Sequence, residues 1–135
     1  MAYAIGIVLA LVVSCFARLT GLDRDRAFYP AMTLAIAGYY VLFAVTGASS
    51  PSVLVVEVVV MVAFALVAAF GFRSSLWLVV AALAGHGVFD AFHGHVVDNP
   101  GVPAFWPAFC GTFDVVAAAF LAWLLLRSKI AVRMS

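Results

Sequence analysis

The residues best suited to chemistry lie in one short segment, residues 85–98. It contains all three histidines of the chain and two aspartates, which are His86, Asp90, His93, His95 and Asp98. The segment lies within or against an apolar stretch long enough to cross a membrane. Because an ionisable group in lipid costs at least a few kcal/mol, such groups usually persist where they pair, bind a metal or move protons. The segment therefore predicts a functional site.

Helical geometry places part of this segment on one face. At 100° per residue, His86, Asp90 and His93 fall within an arc of about 60°. The helix thus carries an acid flanked by two imidazoles. His95 points roughly the opposite way, and Asp98 lies near water, so we expect both at the periphery of the site.

Two histidines with one carboxylate suit zinc or ferrous iron, so the sequence predicts a divalent-metal site. The predicted ligands are His86, Asp90, His93 and Asp114. His86 and His93 are separated by about 10.5 Å of helical rise, however. One metal would more easily take Asp90 with either histidine, completed by Asp114 or Glu57 from a neighbouring helix. Two metals bridged by Asp90 are an alternative.

A third possibility is a site without metal, with Asp90 orienting a histidine that acts as acid or base. The catalytic candidates are His86, Asp90 and Glu57. A structural role is the competing interpretation, because a His–Asp hydrogen bond can simply hold two helices together and Glu57 can reach the membrane interface. Cys110 is expected to be a small packing residue. Tyr39 and Tyr40 are expected to be interfacial or packing aromatics.

The composition requires a membrane around these residues. Hydrophobic residues make up 67% of the 135-residue chain, charged residues 10%, and the mean hydropathy is +1.22. A soluble domain carries roughly 25% charged residues. We therefore predict an all-α polytopic membrane protein forming a single domain over residues 1–135. A net charge of +1 indicates no nucleic-acid partner, and the two cysteines form no disulfide framework.

About 20 apolar residues cross the hydrocarbon core as a helix, and the chain offers five such runs: 2–18, 28–47, 53–72, 75–97 and 105–126. This arrangement places all seven lysines and arginines on one side, which the positive-inside rule assigns to the cytoplasm. The N-terminus is then outside, the C-terminus cytoplasmic, and the site in the outer half of the plasma membrane. No basic residue precedes the first run, so we expect no cleaved signal. Residues 23–26 are expected to form a solvated charge cluster.

The pattern HxxxDxxH at residues 86–93 is followed by Gly101-Val102-Pro103, Trp106-Pro107, Phe109-Cys110 and Asp114. Over residues 85–125 the chain resembles a family of small bacterial integral-membrane proteins of unknown function. The resemblance implies a membrane protein and no particular activity. The His and Asp spacing also looks like that of membrane ceramidase-type hydrolases, which hold zinc with histidines and an aspartate. Those proteins have seven spans and ligands on separated helices, so no residue roles are carried over. The five-span sterol-isomerase-like fold is a looser parallel without a shared motif.

Three classes of function follow. The leading expectation is a divalent-metal-dependent hydrolase that acts on a lipid or amphiphile from an outward-facing site. A small proton- or ion-coupled carrier is the second, although the inner half has almost no intramembrane polar groups and a through-path would need a homo-oligomer. A structural membrane subunit is the third. Membrane lipids are the expected surroundings in each case.

Overall fold

The computed structural model describes residues 1–132, which form five α-helices and no strands. The helices are α1 (Ala2–Thr20), α2 (Phe28–Thr46), α3 (Pro51–Arg73), α4 (Trp77–Val96) and α5 (Trp106–Leu126). The predicted all-helical class is confirmed, and each bound lies within two residues of its expected position. The helix α3 starts early because Pro51 is its first residue and the Ser50 hydroxyl accepts from the Val53 N–H at 3.4 Å. Arg133, part of the predicted cytoplasmic tail, lies outside the described residues.

Four helices, α1, α2, α3 and α5, are long and apolar enough to cross a membrane. The helix α4 is long enough but less apolar, because its 20 residues include three histidines and Asp90. Large apolar side chains on the outer surfaces are exposed, for example Val59, Leu66 and Phe70 on α3. Such surfaces are unfavourable in water and suited to lipid.

The helices run alternately up and down. The helix α5 packs between α1 and α4, α2 pairs with α3, and both α2 and α3 contact α4. We call the end that carries residue 1 and the connections 47–50 and 97–105 the N-terminal end. The other end, with the connections 21–27 and 74–76 and the tail 127–132, is the basic end, because the described lysines and arginines lie there.

The buried side chains differ in type between the two ends of the bundle. Toward the basic end, α4 and α5 meet through buried aliphatic side chains, including Val79, Leu83, Leu121 and Leu124. Toward the N-terminal end, the same two helices bury polar groups. One face of α4 contributes both the aliphatic and the polar buried side chains. Its buried positions recur at the helical spacing from Val79 to His93. The three residues predicted to share a face of α4, His86, Asp90 and His93, are all buried.

Two glycines bring α4 and α5 together beside these polar groups. A Cβ at Gly87 would lie 2.8 Å from the Gly111 carbonyl oxygen, and a Cβ at Gly111 would lie 3.0 Å from the Gly87 carbonyl oxygen. Both contacts are to backbone, which cannot rotate away. The two backbones can approach this closely only because neither position has a side chain.

At the basic end, the predicted solvated charge cluster is only half right. Arg24 and Asp25 are exposed, but Asp23 and Arg26 are buried. Each buried group has partners that the local sequence does not reveal. Asp23 lies 3.4 Å from the Arg18 guanidinium, and Arg26 donates to the Phe72 and Ala131 carbonyl oxygens, both at 2.8 Å.

Candidate metal centre

Four metal-ligating side chains meet between α4 and α5. They are His86 and Asp90 on α4 and Cys110 and Asp114 on α5, and one ligand atom from each lies within 4.8 Å of all the others. None of the four is more than 3% exposed. The helical repeat explains the arrangement, because each pair is separated by four residues and thus occupies one face of its helix.

The separations between these ligand atoms lie above and below those found around a coordinated ion. His86 Nδ1 lies 2.7 Å from Asp114 Oδ2 and 3.7 Å from Asp90 Oδ1, and Cys110 Sγ lies 3.9 Å from Asp114 Oδ2. A tetrahedral zinc ion with ligand bonds of 2.0–2.3 Å sets its ligand atoms about 3.3–3.7 Å apart. The observed separations lie on either side of that range.

Two carboxylate oxygens in this cluster have no hydrogen-bond partner among the described residues. They are Asp90 Oδ2 and Asp114 Oδ1, and both are buried. Buried polar atoms are normally paired, and an unpaired one needs an explanation such as a bound ion or water. A divalent cation would neutralise the two carboxylates while Cys110 stays a thiol. The residues present therefore fit a divalent metal in number, chemistry and charge.

A second imidazole–carboxylate pair lies next to this cluster, nearer the N-terminal end. His93 Nε2 is 2.9 Å from Glu57 Oε1, and both side chains are buried. Tyr40 connects the two groups: its ring stacks on His93 with centroids 4.0 Å apart, and its hydroxyl donates to Asp90 Oδ1 at 2.7 Å. The polar groups thus form one continuous region contributed by four helices, α2 to α5.

Asn99 closes this region from the connection between α4 and α5. Its amide Nδ2 donates to Glu57 Oε1 at 2.8 Å and to the Tyr40 carbonyl oxygen at 3.1 Å. Its Oδ1 accepts from the Ser49 hydroxyl and the Gly101 N–H, both at 3.1 Å. One buried side chain therefore ties both connections of the N-terminal end to Glu57.

The structure brings together three of the four predicted metal ligands, His86, Asp90 and Asp114. The fourth, His93, is not in that group, because helical rise carries it toward the N-terminal end, where Glu57 on α3 faces it. Glu57, a predicted catalytic residue, is likewise paired with His93 in the second pair. The exposed positions of His95 and Asp98 agree with their expected peripheral place.

Sequence reasoning missed three contributors. Cys110 was expected only to pack, although its spacing of one turn from Asp114 was a signal that both share a face. Tyr40 was expected to be an ordinary aromatic, and the sequence carried no indication that its hydroxyl meets Asp90. Asn99 had no distinguishing signal beyond its place in a short connection.

Comparison of the chain with protein-family models, curated proteins and solved structures found no match. The resemblance of residues 85–125 to a small bacterial membrane family therefore stays a prediction.

Proposed function

We propose that this protein is a five-span plasma-membrane hydrolase that uses a divalent metal, zinc or iron, against a lipid or amphiphile. The observation that carries the proposal is the buried cluster of His86, Asp90, Cys110 and Asp114, with ligand atoms within 4.8 Å of one another and two carboxylate oxygens unpartnered. The helix α4 would be the fifth span, because His86, Asp90 and His93 face the interior rather than lipid.

The proposed orientation follows from charge. The described basic residues lie at one end of the bundle, and the positive-inside rule places that end in the cytoplasm. The N-terminus and the connections 47–50 and 97–105 would then be outside. The metal centre would lie in the outer half of the membrane.

In this proposal three residues, His86, Asp90 and Asp114, hold the metal. Three protein ligands with an open position are typical of catalytic sites, whereas four closed ligands are typical of structural ones. Cys110 would stay a thiol beside the metal, which keeps the position open. A bound divalent ion supplies polarisation of a substrate carbonyl and acidification of water.

Asp90 has a further role in the proposal. Its Oδ1 accepts from Tyr40, while its Oδ2 is free to accept a proton. In hydrolysis, the water oxygen bonds to the acyl carbon, one water proton passes to Asp90, and the bond to the leaving group breaks. The leaving group then takes that proton, so that acid and alcohol or amine are the products.

Metal analysis of the purified protein tests the centre. We expect about one divalent ion per chain in the wild type, in keeping with a single mononuclear site, and loss of that ion in His86→Ala and Asp114→Asn. His93→Ala should retain the ion because His93 pairs with Glu57, and the exposed His95→Ala is the matched control. A wild-type protein without stoichiometric metal would refute the metal centre.

Turnover is tested separately. Purified protein is incubated with a membrane lipid extract, with and without chelation and metal restoration, and products are identified by mass spectrometry. Hydrolysis that requires the metal and His86 supports the proposal. If no lipid is cleaved but proton or ion flux into liposomes disappears in Asp90→Asn and Asp114→Asn, the protein is a carrier instead. If His86→Ala lowers only thermal stability, the cluster is structural.

A further inference from the structure

A lateral cleft of about 610 Å³ runs between α1, α4 and α5. It extends from Tyr3 and Pro107 at the N-terminal end to Val115 and Val116 further along α5. Its walls are small or apolar, with alanines or glycines from both α4 and α5. Of the described residues that line it, Asp90 is the only charged one.

Asp90, which lines this cleft, has one carboxylate oxygen without a partner among the described residues. The side chain is 1% exposed, and Oδ2 has no partner among the described residues. A Cβ added at Gly111, which also lines the cleft, would lie 3.7 Å from this Oδ2. No side chain at Gly111 covers this oxygen, and a buried acceptor without a partner calls for a hydrogen-bond donor, which a ligand in the cleft can supply.

A second cavity, of about 520 Å³, flanks the same cluster between α1, α2 and α5 and reaches Cys110. Its lining includes Met32, Phe109 and Phe113 and contains no charged side chain among the described residues. It therefore offers no ionised group to recognise a polar head, and it serves as an internal control for the first cleft.

We propose that the lateral cleft binds a neutral single-chain amphiphile with a hydroxyl-bearing head, which enters from the surrounding lipid. The chain lies along α1, α4 and α5, and a head-group hydroxyl donates to Asp90. A neutral donor is favoured over an ammonium because the metal already balances the Asp90 charge. This choice of head group rests on the proposed function. The amphiphile would be the class of substrate on which the proposed hydrolase acts.

The test measures binding of three probes with the same oleoyl or oleyl chain and different heads, using native mass spectrometry of the protein in detergent. They are 1-monooleoylglycerol, which has hydroxyl donors; methyl oleate, which has none; and oleylamine, which is cationic. We expect 1-monooleoylglycerol to bind most tightly. Stronger binding of oleylamine, or equal binding of methyl oleate, would overturn the assignment of the head group.

Ala91→Leu tests the place of binding, since Ala91 lies in the cleft wall on an exposed part of α4. Ala35→Leu is the matched control, because Ala35 lies in the wall of the second cavity and is also exposed. We expect Ala91→Leu to weaken 1-monooleoylglycerol binding by about tenfold or more, without loss of metal or thermal stability. Unchanged binding in Ala91→Leu, or an equal loss in Ala35→Leu, would refute the cleft as the binding site.

Metal content separates this inference from the proposed function. If the wild type lacks metal but loses amphiphile binding in Ala91→Leu, the cleft is a binding site and the metal hydrolase is wrong. If the wild type holds metal but Ala91→Leu binds the amphiphile normally, the metal centre stands and the cleft assignment is wrong.

Discussion

Replacing Gly87 by alanine tests whether the close contact of α4 and α5 is what assembles the proposed metal centre. The added Cβ would lie 2.8 Å from the Gly111 carbonyl oxygen and 2.9 Å from a Val115 methyl group. The optimum for non-bonded carbon contacts is about 3.5–4.0 Å. Because the Gly111 oxygen belongs to helical backbone, the two helices must separate.

A separation of about 0.7 Å would relieve that contact to roughly 3.5 Å. The same movement would lengthen the His86–Asp114 separation from 2.7 Å to about 3.4 Å, beyond a normal N–H···O hydrogen bond. Overpacking of this kind costs about 1–3 kcal/mol, and the helical preference of alanine over glycine offsets about 0.5–1 kcal/mol. We therefore expect Gly87→Ala to lower the free energy of unfolding by about 1 kcal/mol, within limits of roughly 0–2.5 kcal/mol, and to weaken metal binding.

Gly85→Ala is the matched control two residues away on the same helix. Its Cβ would meet only Phe64 Cε1, at an ordinary 3.8 Å, so it should keep its metal and be at least as stable as the wild type. Thermal unfolding in detergent and metal content are measured for both variants. Equal stability and equal metal content in the two variants would refute the close-contact argument.

Three further perturbations probe the partners of the two polar groups. Tyr40→Phe removes the hydrogen bond to Asp90 but keeps the ring, so we expect metal affinity to fall about 10–100-fold with a modest loss of stability; unchanged affinity by metal titration would contradict this. Asn99→Ala removes four hydrogen bonds and leaves buried acceptors, so unfolding should become easier by about 1–3 kcal/mol, with faster hydrogen exchange in the connections of the N-terminal end as the check. Arg26→Ala should destabilise the basic end by a similar amount, about 1–3 kcal/mol, without altering metal content. The exposed Arg24→Ala is the control and should change neither stability nor metal content. Metal loss in Arg26→Ala would show that the two ends are coupled.

Helix positions could be predicted from the sequence because apolar runs and their breaks are local properties. The polar face of α4 could also be predicted, since His86, Asp90 and His93 follow the helical repeat. Asp114 was expected nearby because a short connection makes α4 and α5 neighbours. Each of these inferences needs only the geometry of one helix or one connection.

The division of the polar residues into the four-residue cluster and the His93–Glu57 pair could not be predicted in the same way. Whether Glu57 faces His93 or His86 depends on the rotation and axial shift of α3 against α4, which packing determines. The contact of Tyr40 with Asp90 likewise requires the position of α2, which is 50 residues away along the chain. The sequences of α2 and α3 carry little rotational information, because apolar residues occur on nearly all of their faces.

The contacts of Arg26 have a consequence for the order in which the protein is assembled. Its guanidinium bonds Ala131, 105 residues further along the chain, and the Leu76 N–H donates to the Val132 carbonyl oxygen at 3.0 Å. During synthesis, neither donor can form its hydrogen bond until the segment after α5 has been synthesised. The polar cluster at the N-terminal end needs no residue beyond α5, so the basic end is the last part of the described chain to form its contacts.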